Sequence, residues 1–196
     1  MFNRAQDFIE SFKAIDFLAP LAIRLYLVPI FWMAGSSKID WSTMMPKDSV
    51  VQWFGGSLGL PFPEIMAILA TYTELLGAVF LLFGFAVRWI SVPLLVTMAV
   101  AAFTVHLDNG WSAIADPQFP LASERVEQSV EKLAAAKSIL QEHGNYQWLT
   151  SSGNFAIINN GIEFSVTYFI MLLSLFFAGA GKFFSLDYYI SLIFRR

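Results

Sequence analysis

The chain has 196 residues, of which 57 % are hydrophobic, 16 % aromatic and only 14 % charged, with a mean hydropathy of +0.59. Soluble domains hold about 45–50 % apolar and about 25 % charged residues, so this is the composition of a membrane protein. A net charge of −3 with no basic run argues against a nucleic-acid partner, and the lack of cysteine excludes disulfides, thiolate metal sites, iron–sulfur clusters, covalently held haem and thiol–disulfide exchange.

The opening MFNRAQDFIESFK has no compact charged-then-apolar region with a small-residue cleavage site, so no secretory signal is predicted. Phe2, Phe8, Ile9 and Phe12 instead suggest a short amphipathic helix at the inner interface. Residues 17–35 form the first segment able to cross a hydrocarbon core of about 30 Å, which takes about 17–25 helical residues. This span carries Arg24 and Pro29. A polar loop rich in glycine and proline, containing Lys38, Met44 and Met45, leads to the second span, 64–85, in which Glu74 is the one charge within TYTELLGAVFLLFG. A turn at Arg88 joins it to the third span, 89–107, with Pro93 inside; bundled membrane helices tolerate both prolines as kinks.

The insertion 108–160 follows. Within it, SERVEQSVEKLAAAKSILQEHG predicts a helix with Ser123 as N-cap, acids in the first turn, a face of Val126, Val130, Leu133 and Leu140, and a stop at Gly144. The run YQWLTSSGNFAII predicts a hairpin about Ser-Ser-Gly, with Trp111, Trp148 and Phe155 laying the cap on the membrane surface. Residues 161–180 are the fourth span. Backbone groups in lipid must be satisfied within each segment, so the spans are helices. The predicted fold is an all-α membrane protein: a four-helix transmembrane bundle forming one domain over 1–196, with an extra amphipathic helix and small cap in the outer insertion. Arg4, Lys13, Arg88, Lys182, Arg195 and Arg196 lie more densely on the side of the termini than Lys38, Lys47, Arg125, Lys132 and Lys137 on the other, a bias that puts both termini in the cytoplasm.

Ionisable residues inside spans usually face the bundle interior and pair with one another. With the first span running outward and the second inward, a rise of 1.5 Å per residue puts Arg24 and Glu74 within about 5–10 Å in depth. A buried Arg24–Glu74 pair is therefore predicted, with the carboxylate held ionised, either as a lock between helices or as a proton or quinone-headgroup site. Lys38, on the same face as Arg24, is predicted to form an outer polar layer with His106, Asp108, Asn109 and Glu163, flanked by Asn159 and Asn160. Histidine changes charge near neutral pH, so His106, with Glu74, is the candidate for catalytic proton transfer; the competing reading is a histidine bonded to its own loop. No metal site is predicted. His106 and His143 are the only histidines, His143 suits a helix C-terminus, and Met44–Met45 reads as packing.

Haem or copper oxidase cores need several axial histidines, thiol-oxidising quinone reductases need cysteines, and channels need repeated polar rings; the chain offers none of these. Four spans in the order LAIRLYLVPIFWMAGSSKI, TELLGAVFLLFGFAVRW, VHLDNGW and EFSVTYFIMLLSLFFAGAGKFFSLD resemble the DoxX family of small bacterial membrane proteins. The resemblance runs from Leu18 to Asp187, and its most specific pieces are the first-span arginine, the ELLG and the His-Leu-x-Asn-Gly. The insertion before the fourth span departs from the commonest members and looks like a branch encoded beside copper-responsive, modified-peptide systems. The resemblance implies a multi-pass protein of the bacterial inner membrane. It also implies a redox-linked accessory subunit that engages a quinone or similar carrier with nothing bound covalently, having no self-contained catalytic centre. The alternative is a non-catalytic membrane partner that assists maturation or export of a secreted peptide or protein, a metal-binding one included, through the outer cap. Small residues at Gly77, Ala78 and Gly84, and at Ala178, Gly179 and Gly181, permit close helix contacts within one chain or in a homo-oligomer.

Overall fold

The computed structural model describes residue 10 and residues 12–194; the amphipathic segment expected at Phe2, Phe8 and Ile9 lies outside them, while Phe12 opens a 3-10 turn, Phe12–Ile15. In chain order the helices are α1 (Leu18–Lys38), α2 (Asp48–Gln52), α3 (Pro63–Phe83), α4 (Val87–Ala101), α5 (Glu124–His143), α6 (Tyr146–Leu149), α7 (Glu163–Ala178) and α8 (Leu186–Phe194). Strands β1 (Ile39–Asp40) and β2 (Met45–Pro46) pair antiparallel, Ile39 opposite Pro46. The chain divides into two compact units, 1–98 with 168–196, and 99–167. It is an all-α membrane protein.

In the first unit the helix boundaries follow from local chemistry. Pro63 stands at the start of α3, where its missing N–H costs nothing, and Glu64 follows in the first turn. Gly84 ends α3 at φ +62°, and the N–H of Phe85 returns to the carbonyl of Phe80 at 2.9 Å. Leu27 and Phe31 of α1, Ala78 and Leu81 of α3, Val87, Leu94 and Met98 of α4, and Leu172 and Leu175 of α7 make one buried core. Other large apolar side chains face outward, among them Met33 (69 % exposed), Val96 (58 %) and Ile170 (59 %). Such surface is tolerable only in hydrocarbon.

Phe12–Lys38, Pro63–Phe83 and Val87–Asn109 are long and apolar enough to cross a membrane. The fourth expected span is a 16-residue apolar helix, α7; at 1.5 Å per residue it is about 24 Å long, shorter than a hydrocarbon core of about 30 Å.

The second unit departs from the sequence reading in its details. No hairpin forms over 146–158. Tyr146–Leu149 is a helical turn because the Asn145 side chain accepts the Trp148 N–H at 3.2 Å, and the strand-like contact is an isolated bridge between Ile114 and Ile158. Ser123 occupies the N-cap of α5, but the first turn is held by its carbonyl, which accepts from Val126 and Glu127, while its buried hydroxyl has no partner. Val126 and Ser129 are buried on α5, whereas Val130, expected on that face, is 46 % exposed. Gly144 ends the helix as expected.

Candidate functional site

Close packing of α1 on α3 decides where the charges meet. Gly35 rides directly on Leu75: a Cβ there would lie 2.8 Å from the Leu75 Cγ. Near the other end, Arg24 reaches the last turn of α3, donating to the Leu81 carbonyl at 3.1 Å. The two helices are thus staggered, and the first turns of α3 run past the end of α1, where β2, α2 and a π-helical turn at Trp53–Ser57 cover them.

This stagger overturns the expected Arg24–Glu74 pair. Glu74, 3 % exposed, is ion-paired to Lys38, the last residue of α1. Arg24 and Lys38 are 14 residues apart in sequence, about 21 Å along a helix. Level with Glu74 is therefore the end of α1, not its second turn. One turn before Glu74, the fully buried Thr71 hydroxyl has no hydrogen-bond partner.

Arg24, 1 % exposed, instead ties the other end of the bundle together. Its second terminal nitrogen donates to the Phe184 carbonyl at 2.7 Å, joining α1 to the segment before α8. Gly84 leaves the room: any Cβ would run into the Arg24 guanidinium and the Ser185 Cβ. Asp187 completes this corner, since its carboxylate accepts the N–H groups of Ala86 (2.6 Å) and Val87 (2.9 Å) at the start of α4, and its own N–H donates to Gly84. Asp187 is a functional corner residue that the sequence signals only as a lone acid after the last apolar stretch.

In the second unit, α4 is followed by a π-helical turn, Ala102–His106, and a 3-10 turn, Leu107–Asn109. π-Turns in helices occur frequently at functional sites. The Nδ1 of His106 lies 2.9 Å from the carbonyl of Asn160, which also accepts from the Asn109 amide at 3.1 Å. Asn160 holds that carbonyl in place with a left-handed backbone, φ +59°. Buried Asn159 donates to the carbonyls of Asn109 (2.7 Å) and Ser112 (2.8 Å), and Arg125 donates to the Asn109 side chain. Glu163 accepts the Ala113 N–H at 2.8 Å. Asp108 is exposed. Of the expected outer layer, then, Lys38 serves Glu74, while His106 and Glu163 each bind backbone; Arg125 and Asn159 are the structural members whose weight the sequence did not reveal. No group of three or more His, Cys, Asp or Glu suited to a metal occurs among the described residues.

The DoxX family model matches residues 19–107. Those residues, rather less than half of the chain, are similar to the DoxX family. The matched stretch includes Arg24, Lys38, Glu74 and His106, and it stops short of Asp187, where the resemblance in the sequence ends. Glu163 and the insertion lie outside it. Comparison with curated proteins and with solved structures gives no match.

Proposed function

We propose that this DoxX-like membrane protein is a non-catalytic partner whose 99–167 unit receives a secreted peptide or protein and assists its maturation or export. One observation carries the reading. The ionisable groups best placed for chemistry are engaged internally: Glu74 by Lys38, Arg24 by two carbonyls, His106 by the Asn160 carbonyl and Glu163 by the Ala113 N–H. Groups held this way build a scaffold. The same unit leaves Ile114, Leu121, Ile139, Trp148 and Ile158 between 55 % and 77 % exposed, apolar surface of the kind that binds partners or a membrane surface. The charge bias of the loops supports a multi-pass arrangement in a bacterial inner membrane with both termini cytoplasmic and this unit outside.

A photo-crosslinker placed at Ile139 or Trp148 in cells tests the proposal. It should capture a secreted peptide or protein, and Ile139→Ser with Trp148→Ser should lower both the crosslink and the amount of mature product outside. Unchanged maturation and export in cells lacking the chain would refute it. A quinone-engaging accessory role is the second reading, favoured by the unpartnered Thr71 hydroxyl one turn from Glu74, a buried donor that a carrier carbonyl would satisfy only where the bundle opens beside it. Extraction and mass spectrometry of the purified protein test that role. Quinone that copurifies with the natural chain and is lost in a Glu74→Gln/His106→Ala variant would favour it.

A further inference from the structure

At the end of the first unit where α1 starts and α3 and α7 finish lies an open groove of about 680 Å³. Its size falls within the range of ligand sites, about 300–1,000 Å³. The apolar helices stop here, so in a bilayer this is the level of the lipid headgroups. Trp89, 83 % exposed, stands in the groove beside Phe17 and Phe194, as aromatic residues do at membrane–water boundaries.

The polar lining is specific. Arg88 spends one N–H on the Phe177 carbonyl (3.1 Å) and passes across Gly179, whose absent Cβ would lie 3.2 Å from the Arg88 Nε. Gly179 has φ +82°, so the backbone that makes this room also favours glycine. A guanidinium has five N–H donors in a planar fork, and no carboxylate pairs with this one among the described residues. Lys182 lies 3.3 Å from Asp16 in an exposed pair, a contact of little strength that a ligand can replace. Asp187, the fourth charge, is committed to the Ala86 and Val87 amides. Two cations and two carboxylates therefore line one groove, with zero formal charge among them.

We infer that this groove binds the headgroup of a zwitterionic phospholipid bearing a primary ammonium, of the ethanolamine class. The phosphate meets the free fork of Arg88 and the Lys182 ammonium, and the lipid ammonium takes the place of Lys182 at Asp16. The acyl chains run down past Trp89 and Phe17. A purely anionic headgroup would leave Asp16 facing like charge, and a quaternary ammonium has no N–H to give Asp16. The site is independent of the partner and quinone readings above.

Native mass spectrometry of the full chain, released from bilayers of phosphatidylethanolamine, phosphatidylglycerol and phosphatidylcholine in equal amounts, tests the inference. Ethanolamine lipid should be retained over the other two by about tenfold, the scale of one charge-assisted hydrogen bond. Arg88→Gln removes a phosphate contact common to all three lipids and should lower the retention of each. Arg88 also braces Phe177, so Asp16→Asn, at an exposed position, serves as a second variant that leaves folding intact and should move the preference toward phosphatidylglycerol. Equal retention of the three lipids by the natural chain, a preference unchanged in Asp16→Asn, or retention unchanged in Arg88→Gln would overturn the assignment.

Discussion

Removing either partner of the Lys38–Glu74 pair should be costly, but unequally so. The Glu74 side chain is 4 % exposed and that of Lys38 21 %, and Lys38 is the last residue of α1. Lys38→Met strands a carboxylate with no route to water; breaking a buried pair this way costs about 3–5 kcal/mol, and proton uptake by the carboxyl trims the figure to about 3 kcal/mol. Glu74→Gln strands a lysine whose long stem can swing its ammonium past the end of α1, which brings the cost down to about 1 kcal/mol. The double variant should cost less than the sum, with a coupling of about 1–2 kcal/mol. Arg24→Met loses its bonds to Leu81 and Phe184, yet its effect should add to that of Glu74→Gln within about 0.5 kcal/mol, since the two side chains share no partner. Equilibrium unfolding in mixed maltoside and dodecyl sulfate micelles, followed by circular dichroism, measures all five variants. A larger coupling of Glu74 to Arg24 than to Lys38, or equal costs for Lys38→Met and Glu74→Gln, would refute the staggered packing of α1 on α3.

Gly84→Ala should destabilise by about 2–4 kcal/mol in the same assay, because it adds left-handed strain to a collision with the Arg24 guanidinium and Ser185. Asp187→Ala removes the acceptor for two amides at the start of α4 and should cost about 1–2 kcal/mol, with faster hydrogen exchange at Ala86 and Val87. Asn160→Val forces a β-branched residue into a left-handed backbone; about 1–3 kcal/mol of local stability should be lost, seen as faster exchange of the 159–163 amides. Asp40, in β1 just beyond α1, is held below the ordinary carboxylate range, first by the Ser42 hydroxyl at 2.7 Å and then by the Ser42 N–H at 2.9 Å. Its stabilising contribution is complete above the ordinary carboxylate range and is lost as pH falls through the lowered value. Ser42→Ala should move the Asp40 titration upward, as read by carbon NMR of labelled aspartate.

What could be read from the sequence was whatever depends on single segments. Runs of apolar residues located α1, α3 and the start of α4 to within a few residues, and Gly144 and the acids after Ser123 located α5, because helix length and capping are local properties. The hairpin failed for a local reason too: Asn145 offered a capping oxygen that turned Tyr146–Leu149 into a helix before any strand could start. Val130 shows the limit of periodicity, which names a face but not the small residue, Ser129, that is buried along with Val126.

The misplaced ion pair has a different origin. Depth along a helix follows from the rise per residue, but the depth of one helix against another depends on their stagger, which Gly35 and Leu75 set by allowing close contact and Gly84 sets by admitting Arg24. A slide of α3 along α1 by about 21 Å, about four turns, exchanges one partner of Glu74 for another. Both arrangements neutralise the carboxylate, so charge pairing alone could not choose between them. Glycine placement could: each of these two glycines marks a point where the other helix or its side chain occupies the volume a Cβ would need. For a bundle of mostly apolar helices, the small residues therefore decide which charges meet. The charges in turn report whether the glycines have been matched correctly, so a double-mutant cycle on Lys38 and Glu74 is also a measurement of helix register.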